Sequence, residues 1–462
     1  MAAIVEGPEK PFSPGATVEG WEVLRVEALP WVRAVFHELR HGASGARWVH
    51  VRRADPENAF GVTFRTVPGD STGVAHILEH VVLCGSERYP VRDPFFAMLK
   101  RSLSTFMNAF TSSDWTAYPF ATQNPKDFVN LLSVYLDAAF FPRLEELSFR
   151  QEGHRLEFEP DPAGGERLVF RGVVYNEMKG AMSAPDQVMV RALHRALSPD
   201  TTYAHNSGGD PAEIPRLTWE ALREFHRRHY QPGNAYFYSY GDFPLEAHLA
   251  FVNERVLARF GAGAPAPEVL PQPRWAAPRT AEAAYPIPPG EDPAKKHQAC
   301  LAWLTSDIRD TAEVLALVLL EQVLLGTAAS PLRKALIDSG LGSALSDGSG
   351  FDPEPRDTRF AAGLKEVRAG DEEAVAGIVL DTLGKLAAEG IEPERIEAAI
   401  HRLEFHRREV TNTPYPYGLK LLLEIAGTWI HGGDPLRMLR FDEDLAVGAL
   451  ALPAGRRLGA VE

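Results

Sequence analysis

Three residues of one short stretch have the types and spacing to do chemistry: His76, Glu79 and His80, in STGVAHILEHVVLCGS from Ser71 to Ser86. In a helix, residues three and four apart share a face, so these side chains point the same way. Two imidazoles one turn apart can hold a single zinc ion. A carboxylate between them can take a proton from a water polarised by that ion.

The order His-x-x-Glu-His is the inverzincin signature, the zincin pattern reversed. Its setting gives it weight, because Val74, Ala75, Ile77, Leu78, Val81, Val82 and Leu83 make the rest of the helix apolar. Imidazoles and carboxylates buried there are costly unless paired or bound to metal. The bland competitor is a satisfied pair of core histidines. A catalytic zinc also needs a third protein ligand and an open fourth position. Glu177, in GVVYNEMKG between Val173, Val174, Tyr175 and Met178, is the favoured candidate, with Glu152 and His154 of RQEGHRLEF as rivals. Spacing alone does not decide among them.

The elements that must position these groups follow from periodicity. Residues 46 to 53 and 59 to 67 alternate as two strands. PGDST leads into the motif helix, with Ser71 or Thr72 expected as its cap. DPFFAMLKRS predicts a short helix capped by Asp93, and LSTFMNAFT with WTAYPFAT a hairpin turning at Ser112, Ser113 and Asp114. Asn124 and Pro125 open a long helix ending before Pro142; a polar stretch with Glu145, Glu146, Glu157 and Glu159 follows. Gly172 to Leu197 reads as helix interrupted near Pro185, LTWEALREFHRRHY as helix, and NAYFYSYG as a closing strand. Residues 1–255 are thus expected to form one α+β domain. An Ala/Pro-rich linker is expected over 256–294, and a second domain over 295–446 with a strand at HQACLAWLTS followed by five helices. The atypical tail, 447–462, is expected to be poorly ordered. GGDP occurs at Gly208–Pro211 and again at Gly432–Pro435, a weak hint of duplication.

At 462 residues the chain calls for at least two domains, and 45% hydrophobic with 24% charged residues is the balance of a globular protein. A formal charge of -14 argues against nucleic acid and, where it lines a cleft, favours cationic peptides. No apolar run is long enough to span a membrane, and the N-terminal residues carry no secretory pattern; the expected compartment is the cytoplasm. Cys84 and Cys300 have no CxxC partner and cannot form a disulfide framework. His226 and His229 read as surface or packing residues, and His401, Glu404 and His406 as part of a solvated face.

Four segments, GVAHILEHVVLCGSERYPVRDPF, MNAFTSSDWTAYPFATQN, FRGVVYNEMKGAMS and SGGDPAEIPRLTWEALREFHRRHYQPGNAYFYSYGDF, together resemble the presequence protease branch of the pitrilysin (insulinase, M16) metallopeptidases. The resemblance implies two related pitrilysin-type α/β domains, each a mainly antiparallel sheet packed with helices. It implies one Zn2+ per chain, held by His76, His80 and Glu177, with Glu79 as general base. Phe170, seven positions before Glu177, suits this branch, since some other relatives carry an acidic residue there. It further implies that short unfolded peptides add as a strand along Asn108, Ala109 and Phe110, giving broad cleavage. Such proteases are about twice as long, so the resemblance covers their first half. The implied partner is then a separate C-terminal half or a second copy, and the alternative to an endopeptidase is a partner-dependent, non-catalytic half-subunit.

Overall fold

The computed structural model describes residues 12–261 and 267–440. In chain order its strands are β1 (Thr17–Val18), β2 (Trp21–Leu29), β3 (Ala34–His41), β4 (Arg47–Arg53) and β5 (Asn58–Arg65). Helices α1 (Val74–Val82) and α2 (Pro94–Leu99) then precede β6 (Ser104–Met107), β7 (Phe110–Thr111) and β8 (Trp115–Thr122). Next come α3 (Pro125–Phe140), α4 (Glu146–Glu152), β9 (Arg155–Pro160), β10 (Glu166–Arg171), α5 (Val173–Ala181) and α6 (Pro185–Leu197). After α7 (Trp219–His229), β11 (Ala235–Gly241) and α8 (Leu245–Arg255), the later part holds β12 (His297–Asp307), α9 (Thr311–Leu324) and α10 (Pro331–Asp338). It ends with β13 (Ala344–Leu345), β14 (Gly350–Asp352), β15 (Asp357–Val367), α11 (Glu372–Glu389), α12 (Pro393–Arg408), α13 (Tyr417–Ile430) and α14 (Pro435–Leu439).

The fold is α+β with antiparallel-dominated sheets, and it divides into two compact units that do not follow chain order. The first takes the described parts of Met1–Lys179, His205–Glu268 and Val410–Ala426; the second takes those of Gly180–Ala204, Val269–Glu409 and Gly427–Glu462. The partition expected at 1–255, 256–294 and 295–446 is therefore crossed twice. Helix α6 sits with the second unit, where Leu193 lies against Gly348. The start of α13 belongs to the first, because Gly61 leaves room for Leu422: a Cβ there would lie 2.7 Å from Leu422 Cδ2. From residue 267 the expected linker is anchored, with Val269 and Gln272 buried and the Gln272 side chain donating to Asp200 Oδ2 at 2.6 Å. The expected tail, 447–462, lies outside the described residues.

In the first unit, a nine-stranded sheet runs β1-β2-β3-β4-β11-β5-β8-β6, with β7 also on β8. The two strands expected at 46–53 and 59–67 are present but are not neighbours. β11 lies between them, parallel to β4 and antiparallel to β5, so the closing strand enters the centre of the sheet. Helices cover one face over a core that includes Trp48, Phe60, Phe237, Ile77, Leu131 and Val252. Burying each large apolar side chain contributes about 1.5–3 kcal/mol, so this layer fixes the sheet against α1 and α3.

Helix starts show where local rules held. Asn124 caps α3, accepting from Asp127 N at 3.0 Å, as its spacing predicts. Neither Ser71 nor Thr72 caps α1: Gly73 holds that place at φ +72, and Thr72 turns back to Asp70 Oδ1, 2.6 Å from its hydroxyl. Gly73 is doubly required, because a Cβ would also meet the Gly208 carbonyl oxygen at 2.8 Å. Asp93 occupies the N-cap position of α2 at φ +53 without accepting a cap hydrogen bond, its carboxylate lying 3.4 Å from Arg92 Nε instead.

The second unit is built on a four-stranded sheet, β12-β15-β13 with β14 on β15. Leu364 and Val367 of β15 pack with Leu332, Leu336, Val375 and Val379 of α10 and α11.

Candidate metal centre

His76 and Glu79 are nearly buried on α1, and His80 is more open. The two imidazoles are held by different partners. His76 Nδ1 lies 3.1 Å from the carbonyl oxygen of Gly208, and His80 Nδ1 lies 3.2 Å from Glu152 Oε2. Both partners are acceptors, so each ring carries its proton on Nδ1 and presents the Nε2 lone pair outward. That is the arrangement of metal-ligating histidines, whose second nitrogen is oriented by a carbonyl or carboxylate.

Glu177, on the second turn of α5, faces both free nitrogens: its Oε2 is 3.8 Å from His76 Nε2 and 3.9 Å from His80 Nε2. Among the described residues this is a group of three ligand atoms within 4.8 Å of one another. Ligand atoms about 2 Å from a shared zinc stand about 3.4 Å apart, so the Glu177 carboxylate needs to draw in by only about half an ångström towards each imidazole. The Glu177 side chain is 54% exposed and free to make that movement. Two imidazole nitrogens and one carboxylate are a donor set that suits zinc.

The rivals fall into other roles. Glu152 touches the outer nitrogen of His80 and not the inner one. His154 turns away, its Nε2 lying 2.9 Å from the Leu217 carbonyl oxygen. The contribution of Gly208 escaped the sequence reading, as a carbonyl acceptor has no residue signature; the GGDP repeat was its sole trace.

Glu79 reaches the underside of the sheet, where Thr111 donates to it. Burial pushes its carboxyl up from the ordinary value, against the opposing pull of His76, Thr111 and His80. Burial pulls the His80 imidazole down, but the hydrogen bond to Glu152 and the charge of Glu79 outweigh it and leave it raised. Cys84 is no nucleophile, since burial and the nearby Glu152 and Asp93 push its thiol up to about 12. His226 and His229 are packing residues, tied to the carbonyls of Ala139 and Phe225 at 2.9 Å each. His401 and His406 are both exposed on α12 and, five residues apart, do not share one face.

Asn108 and Ala109 link β6 to β7, which Phe110 opens, at the end of the sheet order. Beyond β6 no further strand pairs among the described residues, so this edge is open.

The insulinase (peptidase family M16) model matches residues 65–206, and the peptidase M16 inactive domain model matches residues 216–403. The chain belongs to the M16 peptidase family. Mitochondrial presequence protease of Xenopus laevis is 47% identical over 440 residues, 94% of this M16 chain and 42% of that protein. The Mus musculus protein of the same name is 45% identical over 439 residues, with the same coverage. This M16 chain thus spans less than half the length of the curated relatives it matches. Among solved structures, pitrilysin is similar at a TM-score of 0.63 with 17% identity, over 96% of this chain and 44% of that one. An M16 inactive domain from Pseudomonas fluorescens gives 0.66 with 16% identity, covering 91% and 92%. At such identities the likeness concerns the fold alone. No helix among the described residues is long and apolar enough to cross a membrane.

Proposed function

We propose that this chain is a zinc-dependent endopeptidase acting on short unfolded peptides. The observation that carries the proposal is the convergence of His76 Nε2, His80 Nε2 and Glu177 Oε2, with both outer imidazole nitrogens already engaged. His76, His80 and Glu177 would hold the zinc, which would supply Lewis acidity to the scissile carbonyl and the attacking water. Glu79 accepts the water's proton at its carboxylate as the oxygen adds to the carbonyl carbon. It passes that proton to the departing amine nitrogen as the C–N bond breaks. Burial, which raises the proton affinity of Glu79, suits it to both transfers.

The open edge at Asn108, Ala109 and Phe110 supports substrate binding as an added strand. Main-chain hydrogen bonds supply affinity there with little demand on sequence. Because the presequence proteases of Xenopus and mouse are more than twice this length, the proposal includes a second chain, a separate C-terminal half or another copy, that completes the enclosure. The test is cleavage of a quenched fluorogenic peptide by the zinc-loaded chain and by Glu79→Gln, with metal content and molar mass measured in parallel. Cleavage by wild type and none by Glu79→Gln, at equal zinc content, is the expected result. A wild type that binds zinc yet cuts no peptide, alone or as the assembled species, would overturn it.

A further inference from the structure

The two faces of the open edge differ. Met107 pairs with Phe120 and points into the core beneath the helices, on the side of α1. Phe106 pairs with Ala121 and Phe110 with Ala117, so both rings stand on the opposite face. There they stack, with centroids 6.0 Å apart and planes 23° from parallel. A third ring closes the group. Tyr415 stands edge-on to Phe106 at 5.6 Å and to Phe110 at 5.8 Å.

Tyr415 is delivered by a braced segment. Pro414 and Pro416 flank it and fix the backbone φ on either side. Asn412 Oδ1 accepts from Tyr417 N at 2.9 Å, and Lys420 Nζ donates to the Thr413 carbonyl at 2.8 Å. The following helix is pinned to the sheet through glycines: a Cβ on Gly418 would lie 2.5 Å from the Tyr240 ring, and Leu422 fills the space over Gly61. A ring so placed loses little freedom when something packs against it.

We infer that Tyr415, with Phe106 and Phe110, forms an aromatic subsite that selects a large apolar or aromatic side chain at alternate positions of a bound peptide. The inference rests on the strand-addition reading above. A strand laid along this edge turns successive side chains to opposite faces of the sheet. One set meets the α1 side, and the other meets the three rings. Cross-strand neighbours on one face come within about 4.5–5.5 Å, the separation at which aromatic rings attract edge to face. The main chain would thus be read without regard to sequence, while every second side chain is sorted by size and aromaticity.

The test uses the zinc-loaded Glu79→Gln chain, which separates binding from turnover. Fluorescein-labelled unstructured Ala-rich peptides ending in a C-terminal hydroxamate, which binds the zinc and fixes the register, and carrying a single Phe moved one position at a time, are titrated by anisotropy. Affinity should alternate with the Phe position, the better set binding about fivefold more tightly. In Tyr415→Ala the alternation should flatten while the all-Ala peptide binds as before, and Tyr415→Phe should restore it. Thermal melting of each variant confirms the fold. Peptides N-methylated at alternate amides read the strand addition by itself. If N-methylation leaves affinity unchanged, strand addition and subsite both fall. If N-methylation weakens binding but Tyr415→Ala keeps the alternation, the subsite alone is overturned.

Discussion

Glu152 offers the sharpest separation of an orienting residue from a ligand. Its Oε2 is 3.2 Å from His80 Nδ1, and it is 7% exposed, so water does little to replace it. Glu152→Gln keeps shape and an acceptor oxygen but removes the charge. A hydrogen bond to a charged group is worth about 1.5–3 kcal/mol and a neutral one about 0.5–1.5, so the change loses about 1–1.5 kcal/mol of ligand orientation. That corresponds to a zinc Kd raised about five- to twelvefold. Gln151 Nε2, which donates to the other Glu152 oxygen at 3.0 Å, would then face an amide nitrogen. It cannot turn without setting its own amide against Arg92, which donates to Gln151 Oε1. The upper end of the range is therefore expected, and Glu152→Ala should approach the hundredfold seen when such outer partners are lost. Competition with a chromophoric zinc chelator near neutral pH measures both, alongside thermal melting of the metal-free proteins. His154→Gln is the control, since His154 bonds the Leu217 carbonyl and faces away. Zinc affinity within about twofold of wild type in Glu152→Gln, where a tenfold change is expected, or an equal loss in His154→Gln, would sink the assignment.

Three further outcomes are expected. His37, His50 and His248 are buried in the first unit; burial pulls His37 down to about 4 and His248 to about 3, and with His37, His248 and Arg52 nearby pulls His50 well below the usual range. The unfolded chain protonates these rings near pH 6.5 and the fold resists it, so stability is full above that pH and falls as pH drops towards 4, by on the order of 2 kcal/mol per ring between pH 7 and 5. His248→Phe, which keeps the stack on Phe128 at 4.9 Å, should recover about one ring's share at pH 5 in urea titrations and change little at pH 7. Asn124→Ala removes the α3 cap and should cost about 1 kcal/mol, read as a melting temperature lower by about 2–4 °C. Gly172→Ala would set a Cβ 2.0 Å from the Gly153 carbonyl oxygen, so the backbone must give way. A loss of about 1–3 kcal/mol with weaker zinc binding is expected, whereas Gly180→Ala, with no neighbour within 4 Å, should bind zinc as wild type does.

The parts of the fold legible in sequence were those fixed by neighbours along the chain. The 3.6-residue pattern of α1, the Asn124-Pro125 start of α3 and the apolar, aromatic run of β8 are all local, and each appears where the sequence puts it. What failed were arrangements chosen by distant partners. Thr72 is a good capping residue, yet Gly208 and Gly209 press so closely on position 73 that only glycine fits at the helix start. β9 fell within the expected polar stretch because Leu156 and Phe158 alternate with charged residues and stay exposed, so burial left no mark on the pattern, and its partner β10 had no expected element. β15, the centre of the second sheet, was also missed. Its charged residues Asp357, Arg359 and Lys365 sit in ion pairs that composition does not reveal.

The placement of Glu177 shows why its role could not be read from spacing. Nothing within its own helix directs it to the histidines. The chain leaves Glu152, runs out through β9, returns through β10 and re-enters at α5, and the base of that hairpin is closed by two glycines in backbone contact. Gly153 also rests on α1, where a Cβ would lie 3.1 Å from Ile77 Cγ2, beside His76. One glycine pair thus seats both the residue that orients His80 and the residue that faces the two free nitrogens. An exposed carboxylate can be held in register this way without being buried, because the accuracy comes from the backbone contact of Gly172 with Gly153 and the seat of Gly153 on the Ile77 side chain of α1. Glu79, the proposed proton carrier, is by contrast buried on α1. The carboxylates proposed to face the metal and to handle the proton therefore differ in what positions them: a glycine-closed hairpin base for Glu177, and the face of α1 with Thr111 for Glu79.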